Sequence, residues 1–306
     1  MKLIFATRPS ALARQQTQWV IRQLQELWPN LQCEERVIQT HGDRVVDRPL
    51  PAIGGKGLFT QELEAAILSG DVDAAVHSLK DLPTEENTRL IIGCIPRRED
   101  PRDVLISSRF KKLSELPAGA ILGTSSLRRS AQALRIQPEL TIKSLRGNVD
   151  TRLRKAMQDE YDAIILAGAG LVRLGLQNQV VEWLSFDQML PAPGQGALAV
   201  QCRADDQKAL ELLARLEHGP TRLATTAERA FLAGIGAGCS VPVAAYAEVN
   251  DELGTIQLRG RVIAEDGARM IQVQAQGTDA QDLGSHLAEM ALEQGAVELL
   301  ASQKPS

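Results

Sequence analysis

Short apolar segments alternate with amphipathic segments over the first two thirds of the chain. The apolar segments are typical of strands that are buried on both faces, and the amphipathic segments have helical spacing. The first helix, which Ser10 can cap, is predicted to run to about Trp28. Its apolar stripe consists of Leu12, Val20, Leu24 and Leu27. Strands that alternate with helices in this way predict βαβ units and parallel sheets.

The predicted strands of this part are LIFAT, ERVIQT, DAAVHS, LIIGCIP, DVLISS, ILGTS, TIKSL, AIILA and ALAVQC. Helices are predicted in LFTQELEAAILSG and after Thr124, Asn148 and Gly170. The segment 41–57 is polar and rich in glycine, proline and charge, which predicts a long mobile loop.

Two segments rich in charge, proline or glycine interrupt the alternation, PRREDPRD near residue 100 and PAPGQG at 191–196. Another strand and helix follow the second segment. This order predicts two α/β lobes that are similar to periplasmic binding proteins and joined by a double hinge. Lobe one is expected to comprise 1–99 and 193–216, and lobe two 100–192. Ligands of such a pair bind between the lobes, near the carboxyl ends of strands.

The pattern changes at about residue 217. A helix predicted from Pro220 to Ala233 leads into the glycine-rich stretch GIGAGCSVPV. The strands VPVAAYAEV, TIQLRGRVI and MIQVQAQG follow, and then a helix from about Asp279 to Leu300. Successive strands with short turns predict a small α+β domain, 217–306, with a three-stranded antiparallel sheet.

Composition narrows the classes of function. A net charge of −4 and a pI near 5.7 argue against general nucleic-acid binding. The sequence shows no export signal and no apolar stretch of the roughly 18 residues that a membrane span needs. The four cysteines and four histidines are scattered, which disfavours a metal site or disulfides. We therefore expect a cytoplasmic protein, monomeric and without a metal, a nucleic-acid partner or a membrane segment.

The positions of the arginines are more informative than the net charge. Only nine of the 34 basic residues are lysines, and arginine binds carboxylate or phosphate with two parallel hydrogen bonds. Strand ends that lead into helices carry arginines in ATRPSALA, GTSSLRRS, LRGNVDTRL and LAGAGLVR. Cations at a helix N-terminus oppose the helix dipole unless an anion compensates for them. Any one site could be solvated surface, but four together predict a ligand with several carboxylates or phosphates.

Other local motifs leave alternatives open. GGKGLF and GAGLVR do not complete a nucleotide-binding loop, which disfavours phosphoryl transfer. In DAAVHSLKDLPT, Asp81 either pairs with Lys80 at the surface or serves as a carboxylate that stabilises a cationic intermediate.

Seven motifs in order resemble the porphobilinogen deaminase (hydroxymethylbilane synthase) family of tetrapyrrole, porphyrin and heme biosynthesis. The motifs are ATRPSALA, GGKGLFTQELE, DAAVHSLKDLPT, GTSSLRR, LRGNVDTRL, PAPGQGALAVQ and AERAFLAGIGAGCSVPV. The resemblance implies a transferase whose dipyrromethane cofactor is held by a thioether to Cys239. Four molecules of porphobilinogen are added head to tail, each with loss of ammonia to an azafulvene, and hydrolysis releases hydroxymethylbilane.

The resemblance also implies site residues. Asp81 would be catalytic, and Arg8 would also assist deamination. The residues implied to bind cofactor or substrate are Arg8, Ser10, Lys56, Ser78, Lys80, Thr124, Ser126, Arg128, Arg129, Arg146, Asn148, Arg152, Ala167, Arg173 and Gln195. Lys56, followed by Phe59, would help to close the site. Many relatives have a further lysine at the position of Ala52, so this loop is expected to bind its ligand less tightly than theirs.

The alternative is a two-lobed protein that binds a small carboxylate without catalysis. Such a protein needs no thiol loop and no aspartate among cations, and it normally carries an export signal. Cys33, Cys94 and Cys202 lie in strand-like segments and are predicted to be buried structural residues.

Overall fold

The structure of the chain, a computed structural model, describes residues 1–44, 59–84, 87–158, 160–236 and 241–301. These residues form three sheets, and none of their helices is long and apolar enough to cross a membrane. The chain groups into two compact units. The first comprises Met1–Glu99 with Gly196–Arg222, and the second comprises Asp100–Gln195 with Leu223–Ser306.

The elements are numbered in chain order. The strands are β1 (Lys2–Thr7), β2 (Gln32–Val37), β3 (Ala74–Ser78), β4 (Leu90–Cys94), β5 (Asp103–Ile106), β6 (Ile121–Gly123), β7 (Thr141–Lys143), β8 (Ala163–Ala167), β9 (Glu182–Trp183), β10 (Leu198–Arg203), β11 (Val243–Asn250), β12 (Thr255–Ile263) and β13 (Met270–Gly277). The α-helices are α1 (Ala11–Leu27), α2 (His41–Arg44), α3 (Gln61–Ser69), α4 (Leu127–Ile136), α5 (Val149–Ala156), α6 (Gly168–Arg173), α7 (Gln207–Ala214), α8 (Gly219–Gly234), α9 (Ala280–Glu293) and α10 (Ala296–Ala301).

The sheet of the first unit has the strand order β2-β1-β3-β10-β4. Strand β1 is parallel to β2 and β3, and β10 is antiparallel to β3 and β4. Helix α1 packs on one face of this sheet and begins at Ser10, whose Oγ accepts a hydrogen bond from the Ala13 amide at 3.3 Å, as the sequence predicts. The apolar stripe is only partly as predicted. Leu27 is 41% exposed, because the helix ends there and Trp28 packs against the core instead.

The sheet of the second unit has the strand order β7-β6-β8-β5-β9. Strand β6 is parallel to β7 and β8, and β5 is antiparallel to β8 and β9. Both sheets therefore contain the predicted parallel pairs, but each also has antiparallel strands and is mixed. The antiparallel strands β5 and β10 each follow a connection between the two sheets. These connections, 95–102 and 184–197, are described throughout and contain no helix. A parallel strand needs a crossover, usually a helix, that returns the chain to the opposite edge of the sheet, so both strands enter antiparallel.

The C-terminal part of the second unit is a three-stranded antiparallel sheet, β11-β12-β13, which packs with α8, α9 and α10 around one apolar core. Phe231 of α8 is fully buried in this core, and a Cβ at Gly260 of β12 would come within 2.5 Å of its ring. The fold class predicted from the sequence is thus confirmed. The division into three domains stays a prediction.

Several predicted boundaries differ from the structure. The helix expected over 279–300 is two helices, since Gly295 adopts a positive φ of 91° between α9 and α10. Strand β2 begins three residues before its predicted start, and α6 begins at Gly168 rather than after Gly170. Residues 41–44 form the short helix α2, and the rest of the predicted mobile loop, 45–57, lies outside the described residues.

We expect Gly284→Ala to lower the free energy of unfolding by about 1–3 kcal/mol, because the side chain overpacks the contact between α9 and α8. A Cβ at Gly284 would overlap the carbonyl oxygen of Ala227 and the Cβ of Ala230. Differential scanning calorimetry of the purified protein measures the effect. The control is Gly219→Ala in the first turn of α8, where a Cβ meets open space. Equal melting temperatures for the two variants would contradict the close helix contact.

Candidate active site

The carboxyl ends of β1 and β3 lie side by side at one edge of the first sheet, because the two strands are parallel neighbours. Five of the predicted site residues lie at the ends of these strands or directly after them. They are Arg8, Ser10, Ser78, Lys80 and Asp81. The fold of this unit therefore brings together residues that lie about 70 positions apart in the sequence.

Asp81 ends a single 3₁₀ turn, Leu79–Asp81, that directly follows β3. The turn is anchored by two buried leucines, Leu79 and Leu82, and by a 3.0 Å hydrogen bond from the Leu79 amide to the Ala197 carbonyl. Because the apolar side chains of the turn point into the core, the Asp81 carboxylate is exposed.

Arg8 is held in place by protein groups. Its guanidinium pairs with the Asp43 carboxylate of α2, with a 3.2 Å hydrogen bond from Nε, and lies 4.2 Å from the ring centroid of Phe59. Burial acts to raise the pKa of Asp43, but hydrogen bonds and charge from Arg8, with hydrogen bonds from Thr40, bring that pKa below its usual value. Sequence reasoning did not identify Asp43, because nothing local links it to Arg8.

The residues that precede Asp81 on β3 have different surroundings. The Ser78 hydroxyl accepts a 3.1 Å hydrogen bond from the Gln16 amide of α1. His77 is buried, and desolvation by burial is the main cause that lowers its pKa to about 4. Its imidazole is therefore neutral at pH 7 and adds no positive charge to this edge.

A second edge is formed in the other unit by the carboxyl ends of β6, β7 and β8. Strand β5 is antiparallel to β8, so its first residue, Asp103, lies opposite Ala167 at the same edge. The predicted residues that follow these strands are Thr124, Ser126, Arg128, Arg129, Arg146, Asn148, Arg152, Ala167 and Arg173.

The loop between β7 and α5 holds its polar groups by local bonds. The Asn148 side chain accepts a 3.1 Å hydrogen bond from the Thr151 amide, which confirms that Asn148 caps α5. Gly147 has a φ of 114°, and its carbonyl accepts a 2.7 Å hydrogen bond from Nε of Arg152. In contrast, the Ser126 hydroxyl at the start of α4 makes no capping bond.

Arg128 and Arg129, in the first turn of α4, share one buried carboxylate. Asp103 is fully buried and accepts bonds from Arg128 at 2.7 Å, from Arg129 at 2.8 Å and from the Gln195 amide at 2.9 Å. Burial acts to raise the pKa of Asp103, but the charges of both arginines and the hydrogen bonds from Arg128 and Gln195 lower it to about 2. The expectation that only a ligand compensates these cations is thus corrected.

Two arginine nitrogens at this edge have no acceptor among the described residues. Nε of Arg128 and one terminal nitrogen of Arg146 are buried and make no hydrogen bond to any residue that the structure describes. A buried donor without an acceptor costs about 1–3 kcal/mol. One carboxylate, Asp103, also leaves the charge of the two guanidiniums partly uncompensated. The donor set therefore fits a ligand that carries carboxylates, such as a dipyrromethane with its acidic side chains.

The thiol loop is described only in part, because Cys239 lies outside the described residues. Lys56, in the segment 41–57, also lies outside them. Packing and backbone conformation explain why two of the positions before Cys239 are glycine. A Cβ at Gly234 would come within 2.6 Å of the Ala288 side chain, and Gly236 adopts a φ of 68°. These glycines thus serve helix packing and the turn after α8, reasons that do not involve a ligand.

Comparison with known proteins adds independent evidence to this geometry. Residues 3–211 match a family model described as porphobilinogen deaminase, dipyromethane cofactor binding domain. Residues 222–293 match the model of the porphobilinogen deaminase C-terminal domain. Together the two models cover both α/β sheets and most of the C-terminal part.

The similarity to individual relatives extends over nearly the whole chain. A porphobilinogen deaminase of Bacillus velezensis is 50% identical over 97% of this chain and 95% of the relative. The corresponding protein of Brevibacillus brevis is 49% identical over 96% of this chain and 95% of its own length. That of Bacillus subtilis is 48% identical, with 96% and 94% covered. The chain therefore belongs to the porphobilinogen deaminase family of enzymes.

Proposed function

We propose that the chain is a transferase that condenses four molecules of porphobilinogen head to tail on a covalent dipyrromethane and releases hydroxymethylbilane by hydrolysis. The observation that carries this proposal is a pair of buried arginine nitrogens, on Arg128 and Arg146, that have no acceptor in the part of the chain that the structure describes. Each porphobilinogen carries an acetate and a propionate, so a growing chain of pyrroles brings the acceptors that these donors lack.

Cys239 would hold the dipyrromethane by a thioether. When bound, the dipyrromethane supplies the pyrrole carbon to which the first substrate is joined, and it remains on the enzyme. Around it, the hydroxyl of Ser126 and the guanidiniums of Arg128, Arg129 and Arg146 would bind its carboxylates. Other residues proposed to contact cofactor or substrate are Thr124, Asn148, Arg152, Ala167, Arg173 and Gln195.

Asp81 would stabilise the positive charge that develops on a substrate pyrrole when ammonia leaves. An ionised carboxylate favours this cation by Coulomb attraction and can accept hydrogen bonds from pyrrole N–H groups. Its exposure supports this role, because an exposed carboxylate is reached from outside the core.

Arg8, Ser10, Ser78 and Lys80 would bind substrate carboxylates beside Asp81. The ion pair with Asp43 and the stacking on Phe59 hold Arg8 in one orientation, so little conformational entropy is lost when it binds an anion. Lys56 would help to close the site. Because Ala52 stands where many family members have lysine, we expect this segment to bind the ligand less tightly than theirs does. The monomeric state and the cytoplasmic location stay predictions.

Intact-mass spectrometry of the purified protein tests the cofactor. We expect the native chain to exceed its calculated mass by two linked pyrrole units and Cys239→Ser to have the bare polypeptide mass, because the hydroxyl cannot form the thioether. The matched control is Cys33→Ser, which removes a half-buried thiol from β2 and should keep the added mass. A native chain that gains no mass even after incubation with porphobilinogen would refute the proposed function.

We expect Asp81→Asn to reduce kcat by about 10²–10³, since the amide keeps the shape but not the charge at the developing cation. The rate of hydroxymethylbilane formation is measured on protein whose cofactor load has been verified by mass, alongside the melting temperature. Asp205→Asn, an exposed aspartate between β10 and α7 of the same unit, serves as control and should retain activity. Wild-type turnover by Asp81→Asn would remove Asp81 from the mechanism.

A further inference from the structure

We propose that Asp103 is a positioning residue, which holds Arg128 so that its remaining N–H groups are directed to the carboxylates of the cofactor. This inference rests on the proposed function. The motifs that carry the family resemblance do not include Asp103, and its role emerges only from the contacts of its carboxylate.

The bonds to Arg128 determine which of its donors are left for a ligand. One terminal nitrogen donates both to Oδ2 of Asp103 at 2.7 Å and to the carbonyl of Leu190 at 2.7 Å. These two bonds use both protons of that nitrogen and fix the plane of the guanidinium. Nε of Arg128 remains buried without a described partner. Asp103 thus sets the direction in which Arg128 can bind.

The carboxylate of Asp103 is itself held rigidly. Its Oδ1 accepts 2.9 Å hydrogen bonds from Nε of Arg129 and from the side-chain amide of Gln195. A terminal nitrogen of Arg129 lies 2.8 Å from the same oxygen. The Gln195 amide also donates to the Pro101 carbonyl at 2.7 Å. Because both protons of this amide are used and Gln195 is fully buried, its side-chain amide nitrogen has no donor to spare for a ligand.

The second acceptor of Arg128, the Leu190 carbonyl, is fixed by the C-terminal sheet. Gln132 of α4 donates to this carbonyl at 3.0 Å and accepts from the Leu190 amide at 2.9 Å. Arg261 of β12 donates at 3.1 Å to the same side-chain oxygen of Gln132. Both acceptors that orient Arg128 are therefore immobile, and one of them is tied to the sheet that follows the thiol loop.

Asp103→Asn tests the proposal, because it keeps the shape of the side chain and removes its charge. We expect half-complete cofactor loading to need about 10- to 100-fold more porphobilinogen, by analogy with the loss of affinity when a partner that orients a metal-binding side chain is removed. The measurement is the fraction of apoprotein that gains the mass of two pyrrole units over a series of porphobilinogen concentrations. Circular dichroism and the melting temperature establish that the variant is folded.

The matched control is Asp162→Asn. Asp162 accepts a 2.8 Å hydrogen bond from the Ile121 amide at the opposite edge of the same sheet. Its loss should lower the melting temperature without changing the loading curve. If Asp162→Asn shifts loading as strongly as Asp103→Asn, the effect of Asp103 is one of general stability and the proposal is overturned.

A double variant separates positioning from a structural role. If Asp103 acts through Arg128, then adding Asp103→Asn to Arg128→Gln should shift loading no further than Arg128→Gln alone. Additive shifts would overturn the proposal. If Asp103→Asn alone does not fold, the substitution is introduced together with Arg129→Gln, which removes one buried cation. The loading of this double variant is then compared with that of Arg129→Gln alone. A further loss of loading relative to Arg129→Gln supports positioning, and equal loading contradicts it.

The native protein distinguishes failure of this inference from failure of the proposed function. If wild-type apoprotein gains no pyrrole mass at any concentration, the proposed function itself is wrong. If wild-type apoprotein loads and Asp103→Asn loads along the same curve, only the role of Asp103 is wrong.

Discussion

One buried negative charge, the carboxylate of Asp103, makes the arginine-rich edge of the second sheet possible. Two guanidiniums could not be buried beside each other without a counter-charge, because desolvation of ions costs several kcal/mol each. Asp103 offsets this cost by accepting bonds from Arg128, Arg129 and Gln195. Removing one partner of such a buried pair typically costs about 3–5 kcal/mol. The arrangement still leaves net positive charge, which is the property that an anionic cofactor and its growing chain of pyrroles require.

The position of Asp103 follows from the mixed character of the sheet. In a wholly parallel sheet the first residue of a strand lies at the edge opposite to the carboxyl ends of its neighbours. Because β5 is antiparallel to β8, Asp103 is paired with Ala167 and lies where the helices α4 and α6 begin. The direct connection into β5, without an intervening helix, thus brings the carboxylate to the arginines. The same reversal of β10 in the first sheet brings Ala197 next to the turn that presents Asp81.

The charged residues at the two sheet edges differ in their burial and in their partners. In the first unit the catalytic candidate, Asp81, is exposed, and the cation Arg8 is paired with Asp43. In the second unit Arg128 and Arg129 are buried, and the acid, Asp103, is the structural group. Exposure keeps the Asp81 carboxylate accessible. Burial orients the guanidiniums and strengthens their interactions with anions, since charge interactions are stronger where water is excluded.

The sequence by itself determined the features that depend on neighbours along the chain. The bounds of β12 and β13, the caps Ser10 and Asn148, and the fold class were predictable, because apolar periodicity and capping are local effects. The motifs also indicated the family and most of the candidate site residues. Only the tertiary structure decided the partners of those residues. Asp103 lies 25 positions before Arg128 and 92 before Gln195, and Asp43 lies 35 after Arg8. Such pairs arise from strand order and direction, which a local pattern of polar and apolar residues does not encode.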